Sequence, residues 1–238
     1  MKVYQAVLDQ LIGSGVEYFS GMIGSTAAPY AATLADRNDM RYIGVRHEQT
    51  AAAILDATGR LSGKPGCLMV HGASGLLAAS AGIASAALDS TPMFILSATQ
   101  ERRAMENGWW QTMNVQTPLQ DVLKWQKRVE RPDQAIEAVR RALREAVSGK
   151  PGVAQVDLPI DVSADDLGEH RRRTGKDHDC PGISVIQLMF ELTRCIERID
   201  VDLHQPGPQR RKQRNRKRHN VWCHDGNSVA LGEAKIRL

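Results

Sequence analysis

The sequence predicts a doubly wound α/β domain, a parallel sheet with helices on both faces. Three observations carry that prediction. Helix-like and strand-like segments alternate regularly through residues 1–162. Several strand-like runs, CLMV at 67–70 and MFILSA at 93–98 among them, are apolar without alternation, as in strands covered on both faces. The pentapeptide SGKPG occurs at 62–66 and again at 148–152, each time after a helix and before a strand. There Gly stops the helix and Lys-Pro-Gly makes the turn.

The elements follow in order. Residues 3–12 carry Val3, Val7, Leu8 and Leu11 at helical spacing, and Gly13 and Gly15 end that helix. VEYFS (16–20) reads as a strand, followed by the loop GMIGST and a helix over about 27–37. RYIGV (41–45) is a strand and 48–61 a helix rich in alanine, nearly apolar all round and therefore expected to be buried. CLMV is a strand, 76–88 a helix of small residues and MFILSA a strand. A long polar and aromatic loop leads to a helix with charge alternation at 134–147, and VAQVDL (153–158) closes the series. The domain is expected to span 1–165, and residues 166–238 form a basic tail with one amphipathic helix expected over 183–199.

Composition narrows the class. With 42% hydrophobic and 24% charged residues the chain is an ordinary globular sequence, and no run of about 18 apolar residues predicts a transmembrane helix. The N-terminal segment lacks a signal-type apolar core. Four scattered cysteines, with neither C-x-x-C nor zinc spacing, suggest reduced thiols in a cytoplasmic protein. Charge is uneven: residues 171–238 hold 15 Lys+Arg against 8 Asp+Glu, whereas 1–170 hold 16 against 19. The run 209–218, with seven Lys/Arg in ten residues, could bind phosphates nonspecifically.

In a doubly wound sheet, ligands sit outside the carboxyl ends of the strands. The informative loops are therefore 20–26, 45–48, 71–75 and 99–118. Glu48, about two residues past a strand, has two readings. One is an anion at a helix N-terminus, worth about 0.3–1 kcal/mol. The other is a working acid, because Ala51, Ala52 and Leu55 share its face and would desolvate it. His71, at a strand terminus in VHGASG, could polarise or protonate a substrate or could be satisfied by the backbone. Ser25 in GMIGST stands where an N-cap is usual, with Gly21 and Gly24 for tight turns.

The stretch from Val45 to Gln100 resembles the N-terminal, pyrimidine-binding domain of thiamine diphosphate enzymes, the superfamily of acetolactate synthase, benzoylformate decarboxylase and oxalyl-CoA decarboxylase. The carriers are a strand followed by R-H-E, an alanine-rich helix, G-K-P-G, a second strand, a glycine-rich loop, and G-I-A-S-A-x-x-D-S-x-P before a further strand. The resemblance covers about residues 1–162. It implies the thiamine diphosphate-binding fold, and it implies that Glu48 hydrogen-bonds the aminopyrimidine ring nitrogen of the cofactor. Proton exchange there drives the imino tautomer that removes the thiazolium C2 proton. Arg46 and His47 are local supports without chemistry of their own.

Within the superfamily VHGASG looks most like the decarboxylase branch, where His71 would relay protons near the substrate and Ser25 would bind a substrate carboxylate. Gly24, Gly72 and Gly75 would line the cofactor, and Gln111 in WWQT resembles a substrate-side glutamine. The acetolactate synthase pattern G-P-G-A-T-N is here Ala73-Ser74-Gly75-Leu76-Leu77-Ala78, without its Pro and Asn. The resemblance implies decarboxylation of a 2-oxo acid, or carboligation after it, by a homo- or hetero-oligomer. It also implies Mg²⁺ held by a diphosphate-binding domain through Gly-Asp-Gly … Asn-Asn, a motif this sequence lacks. Three readings account for that: a truncated or frameshifted frame beyond about 171, a pyrimidine-domain subunit of a split enzyme resembling sulfopyruvate decarboxylase, or a non-catalytic domain whose basic tail binds nucleic acid.

Overall fold

The computed structural model describes residues 1–167 of the 238. The helix expected at 183–199 and the basic run at 209–218 lie outside the described residues. Within 1–167 the elements are α1 (Val3–Gly13), β1 (Tyr18–Gly21), α2 (Ala28–Ala35), β2 (Arg41–Gly44), α3 (Glu48–Ser62), β3 (Gly66–His71), α4 (Gly72–Leu88), β4 (Met93–Thr99), α5 (Arg102–Glu106), β5 (Trp125–Arg128), α6 (Ala135–Val147), β6 (Val153–Pro159) and α7 (Ile160–Ser163). The six strands form one parallel sheet in the order β2-β1-β3-β4-β6-β5. Expected and observed strands agree to within about two residues at each end for β1 to β4 and β6.

β3, β4 and β6 are buried at every position, as a strand with both faces covered must be. One face carries the core of α1, α2 and α6, with Val7, Leu11, Tyr30 and Val139 against Phe19, Phe94 and Val156. The other carries α3 and α4, with Ala51, Leu55, Leu76 and Ile83 against Leu68, Val70 and Ile95. Both SGKPG turns act through the same device: Gly63 and Gly149 take left-handed φ of +69° and +56°, and Gly63 is the C-cap of α3.

Three expectations need correction. α3 is not buried all round: Glu48, Ala51, Ala52, Leu55 and Gly59 form its buried stripe, while Ala53 and Ala57 are exposed. Alanine carries too little apolar surface to distinguish a buried face from a solvated one. α4 begins at Gly72 rather than at 76, so the glycine-rich segment is the first turn of a helix instead of a free loop. The long loop after β4 contains α5, and the strand β5 follows it at the sheet edge, paired to β6. No helix among the described residues is long and apolar enough to cross a membrane.

Candidate functional site

The strand order reverses between β1 and β3, the switch point outside whose carboxyl ends a doubly wound sheet binds its ligands. Four segments meet there: the loop and 3-10 turn after β1 (Ser25–Ala27), the start of α3, the junction of β3 with α4, and the loop after α5. Glu48 is the first residue of α3. His47 caps the helix, its Nδ1 accepting from the Gln49 backbone N–H at 3.1 Å, which is the supporting role expected of it.

The Glu48 side chain is 5% exposed, and no group among the described residues hydrogen-bonds to its carboxylate. A buried carboxylate without a partner is costly in a structure that has no further use for it. Gly75, in the first turn of α4, faces it: a Cβ there would lie 3.1 Å from Glu48 Oε1. The carboxylate thus borders a wall kept free of side chain.

His71, the last residue of β3, is 9% exposed. Its Nδ1 lies 2.5 Å from Thr26 Oγ1, and its Nε2 meets Gln111 Oε1. Thr26, 1% exposed, donates its hydroxyl proton to the carbonyl oxygen of Ala98 in β4. The Trp110 ring stands over the imidazole at 6.4 Å between centroids. Burial pushes the His71 imidazole below its ordinary 6.5, against the opposing pull of the Gln111 hydrogen bond and the Glu48 charge.

The structure brings Glu48, His71, Gly75, Gly24 and Gln111 to one crevice. Ser25 sits between Gly24 and Thr26 at the start of the 3-10 turn, and its hydroxyl has no hydrogen-bond partner among the described residues. Gly72 starts α4 with φ +40°, a conformation that suits glycine. Gln111 adopts φ +54°, strained for a residue with a side chain, and holds its amide on His71. Gly24 packs on the imidazole itself, since a Cβ there would fall 2.5 Å from His71 Cγ and 2.9 Å from Nδ1. Its smallness makes room for the histidine. Gly24→Ala should therefore cost about 1–3 kcal/mol, the usual range for overpacking, visible as a lower urea midpoint. An unchanged midpoint would show that the ring is not packed as described.

Thr26 and Trp110 are absent from the residues singled out by sequence. The one signal for Thr26 was its place in a strand-end loop; nothing in the spacing pairs it with a histidine 45 positions away.

An unpartnered carboxylate thus stands beside a glycine wall at the switch point of a doubly wound parallel sheet. The chain belongs to the family described as thiamine pyrophosphate enzyme, N-terminal TPP binding domain, which it matches over residues 1–119. It is 29% identical over 182 residues to a probable acetolactate synthase large subunit of Methanocaldococcus jannaschii, covering 76% of this chain and 31% of that protein. It is 30% identical over 160 residues to the oxalyl-CoA decarboxylase of Escherichia coli K12 (66% and 28%), and 29% identical over 150 residues to 2-hydroxyacyl-CoA lyase 1 of Homo sapiens (61% and 25%). The chain thus spans between a quarter and a third of the length of these relatives.

Proposed function

We propose that the chain supplies the pyrimidine-binding half of a thiamine diphosphate-dependent decarboxylase or carboligase, with Glu48 as the cofactor-activating acid. The buried, unpartnered Glu48 carboxylate facing Gly75 carries this reading. Both fit a flat aminopyrimidine: the carboxylate can take and return a proton at a ring nitrogen, and the glycine wall admits the ring edge. When bound, the cofactor supplies a carbanion that adds to a carbonyl and serves as electron sink.

This chain's residues would do the rest. Glu48, 5% exposed, exchanges the proton. His71 holds or releases a proton on the substrate side, Gln111 fixes the imidazole, and Ser25 offers a free hydroxyl to a carboxylate or thioester oxygen. The substrate class proposed is a 2-oxo acid. The relatives named for oxalyl-CoA and 2-hydroxyacyl-CoA favour a second reading, an acyl-CoA thioester.

Anchoring of the diphosphate and its Mg²⁺ falls to a further domain, in the same polypeptide or in a partner. Met22, Leu77, Trp109 and Trp110 are exposed on the segments that follow β1, β3 and α5, and a diphosphate-binding domain docked on these segments would cover them and close the site. The test is to supply the full chain with a diphosphate-binding domain, thiamine diphosphate and Mg²⁺, then follow exchange of the cofactor C2 proton and release of CO₂ from 2-oxo acids and oxalyl-CoA. A folded chain that binds such a domain yet accelerates neither process would defeat the proposal.

A further inference from the structure

The polar chain behind His71 has a direction. Thr26 has one hydroxyl proton, and it goes to the Ala98 carbonyl, a group that can only accept. The Thr26 oxygen therefore faces His71 Nδ1 with its lone pairs, at 2.5 Å. A lone pair opposite a ring nitrogen at that distance requires the nitrogen to carry the hydrogen. Ala98 lies inside the parallel sheet, in register with His71 on one side and Leu158 on the other, so the acceptor that sets the chain cannot swing away.

We infer that Thr26 is a positioning residue that pins the proton of His71 on Nδ1, and so makes Nε2 the nitrogen through which His71 exchanges protons with the site. The inference rests on the reading of His71 as the proton-carrying group of this crevice. It has a consequence for Gln111. A neutral ring with its hydrogen on Nδ1 presents a lone pair at Nε2, so the Gln111 amide must turn its NH₂ toward the ring. When Nε2 takes a proton, the same amide presents its oxygen to receive the N–H, the orientation in which Gln111 Oε1 meets the ring. Gln111 then accompanies both states of the ring, while Thr26 serves one nitrogen only.

The test needs no turnover. The full 238-residue chain is labelled with ¹⁵N-histidine, the His71 signals are assigned by their loss in His71→Gln, and the tautomer is read at pH 8 from long-range ¹H–¹⁵N correlations. Wild type should show His71 with the hydrogen on Nδ1 as the dominant form. Thr26→Val, which keeps the shape and removes the acceptor, should reduce that form to a minority, and Thr26→Ser should restore it. Gln111→Leu should leave the hydrogen on Nδ1. A wild-type ring protonated at Nε2, a Thr26→Val protein that keeps Nδ1–H, or a Gln111→Leu protein that loses it would each overturn the inference. The wild-type and Gln111→Leu results decide it even if Thr26→Val fails to fold. The functional reading is judged separately: a His71→Gln enzyme with undiminished turnover would remove His71 from catalysis and leave the tautomer result standing.

Discussion

Replacing Glu48 by Gln should slow cofactor activation by about 10²–10⁴-fold, the usual contribution of a positioned acid–base group, while the chain stays folded. Gln keeps the volume of Glu and can still hydrogen-bond a ring nitrogen, but it cannot take up and return a proton. The fold tolerates the change because the carboxylate has no hydrogen-bond partner among the described residues, and the α3 N-terminus is already capped by His47. The urea midpoint should therefore hold or rise, since a buried charge is removed. The measurement is the rate of C2 proton exchange on thiamine diphosphate held by the chain together with a diphosphate-binding domain. Equal rates for Glu48→Gln and wild type would reduce Glu48 to a helix-end anion, and loss of the fold would mean that its carboxylate has a structural partner after all.

The legible part of this fold was the part whose burial is uniform. β3, β4 and β6 declare themselves because a strand covered on both faces has no reason to alternate, and SGKPG turns precede β3 and β6. Residues 125–128, WQKR, do not: β5 is an edge strand of four residues, partly exposed, with charges where a central strand would carry valine. The start of α4 was hidden for the opposite reason. Gly72 and Gly75 read as breakers, yet the turn needs a left-handed φ at Gly72 and open space against Glu48 at Gly75.

The candidate site divides in the same way. Glu48 opens the helix after β2 and His71 ends β3, so topology alone points to them. Gln111 owes its place to an irregular loop and a strained φ of +54°, which no periodicity encodes, and it entered through resemblance. The Thr26 contact joins a 3-10 turn to the end of β3, 45 residues on, and to a carbonyl of β4. Only tertiary structure can specify such a contact.

A second large effect is expected at Asp157, away from the proposed proton transfer. Its side chain, 1% exposed on β6, accepts from Thr99 Oγ1 at 2.7 Å through Oδ1, while Oδ2 has no hydrogen bond. Arg128 Nε stands 3.7 Å from Oδ2. Burial pushes the carboxyl from its ordinary 3.8 up to about 6, against the lowering effects of Thr99 and Arg128. The folded protein therefore holds this proton more tightly than the unfolded chain. Stability from this group is complete below about pH 4 and falls as pH rises toward 6, where the folded state must bury a charge. The whole change is about 3 kcal/mol at 1.36 kcal/mol per pKa unit. Asp157→Asn keeps an oxygen for Thr99 and abolishes the titration, so it should gain about 1–3 kcal/mol over wild type at pH 7, with Arg128's lost counter-charge reducing the gain. At pH 4 the two proteins should differ little. Urea midpoints at both pH values decide the matter: a variant less stable than wild type at pH 7 would mean that the Arg128 ion pair outweighs the burial of charge. Asp157 lies on the strand beside β4, and Ala98 pairs with the neighbouring Leu158. The variant should nevertheless leave His71 protonated on Nδ1, because the acceptor for Thr26 is a backbone carbonyl that the substitution does not touch.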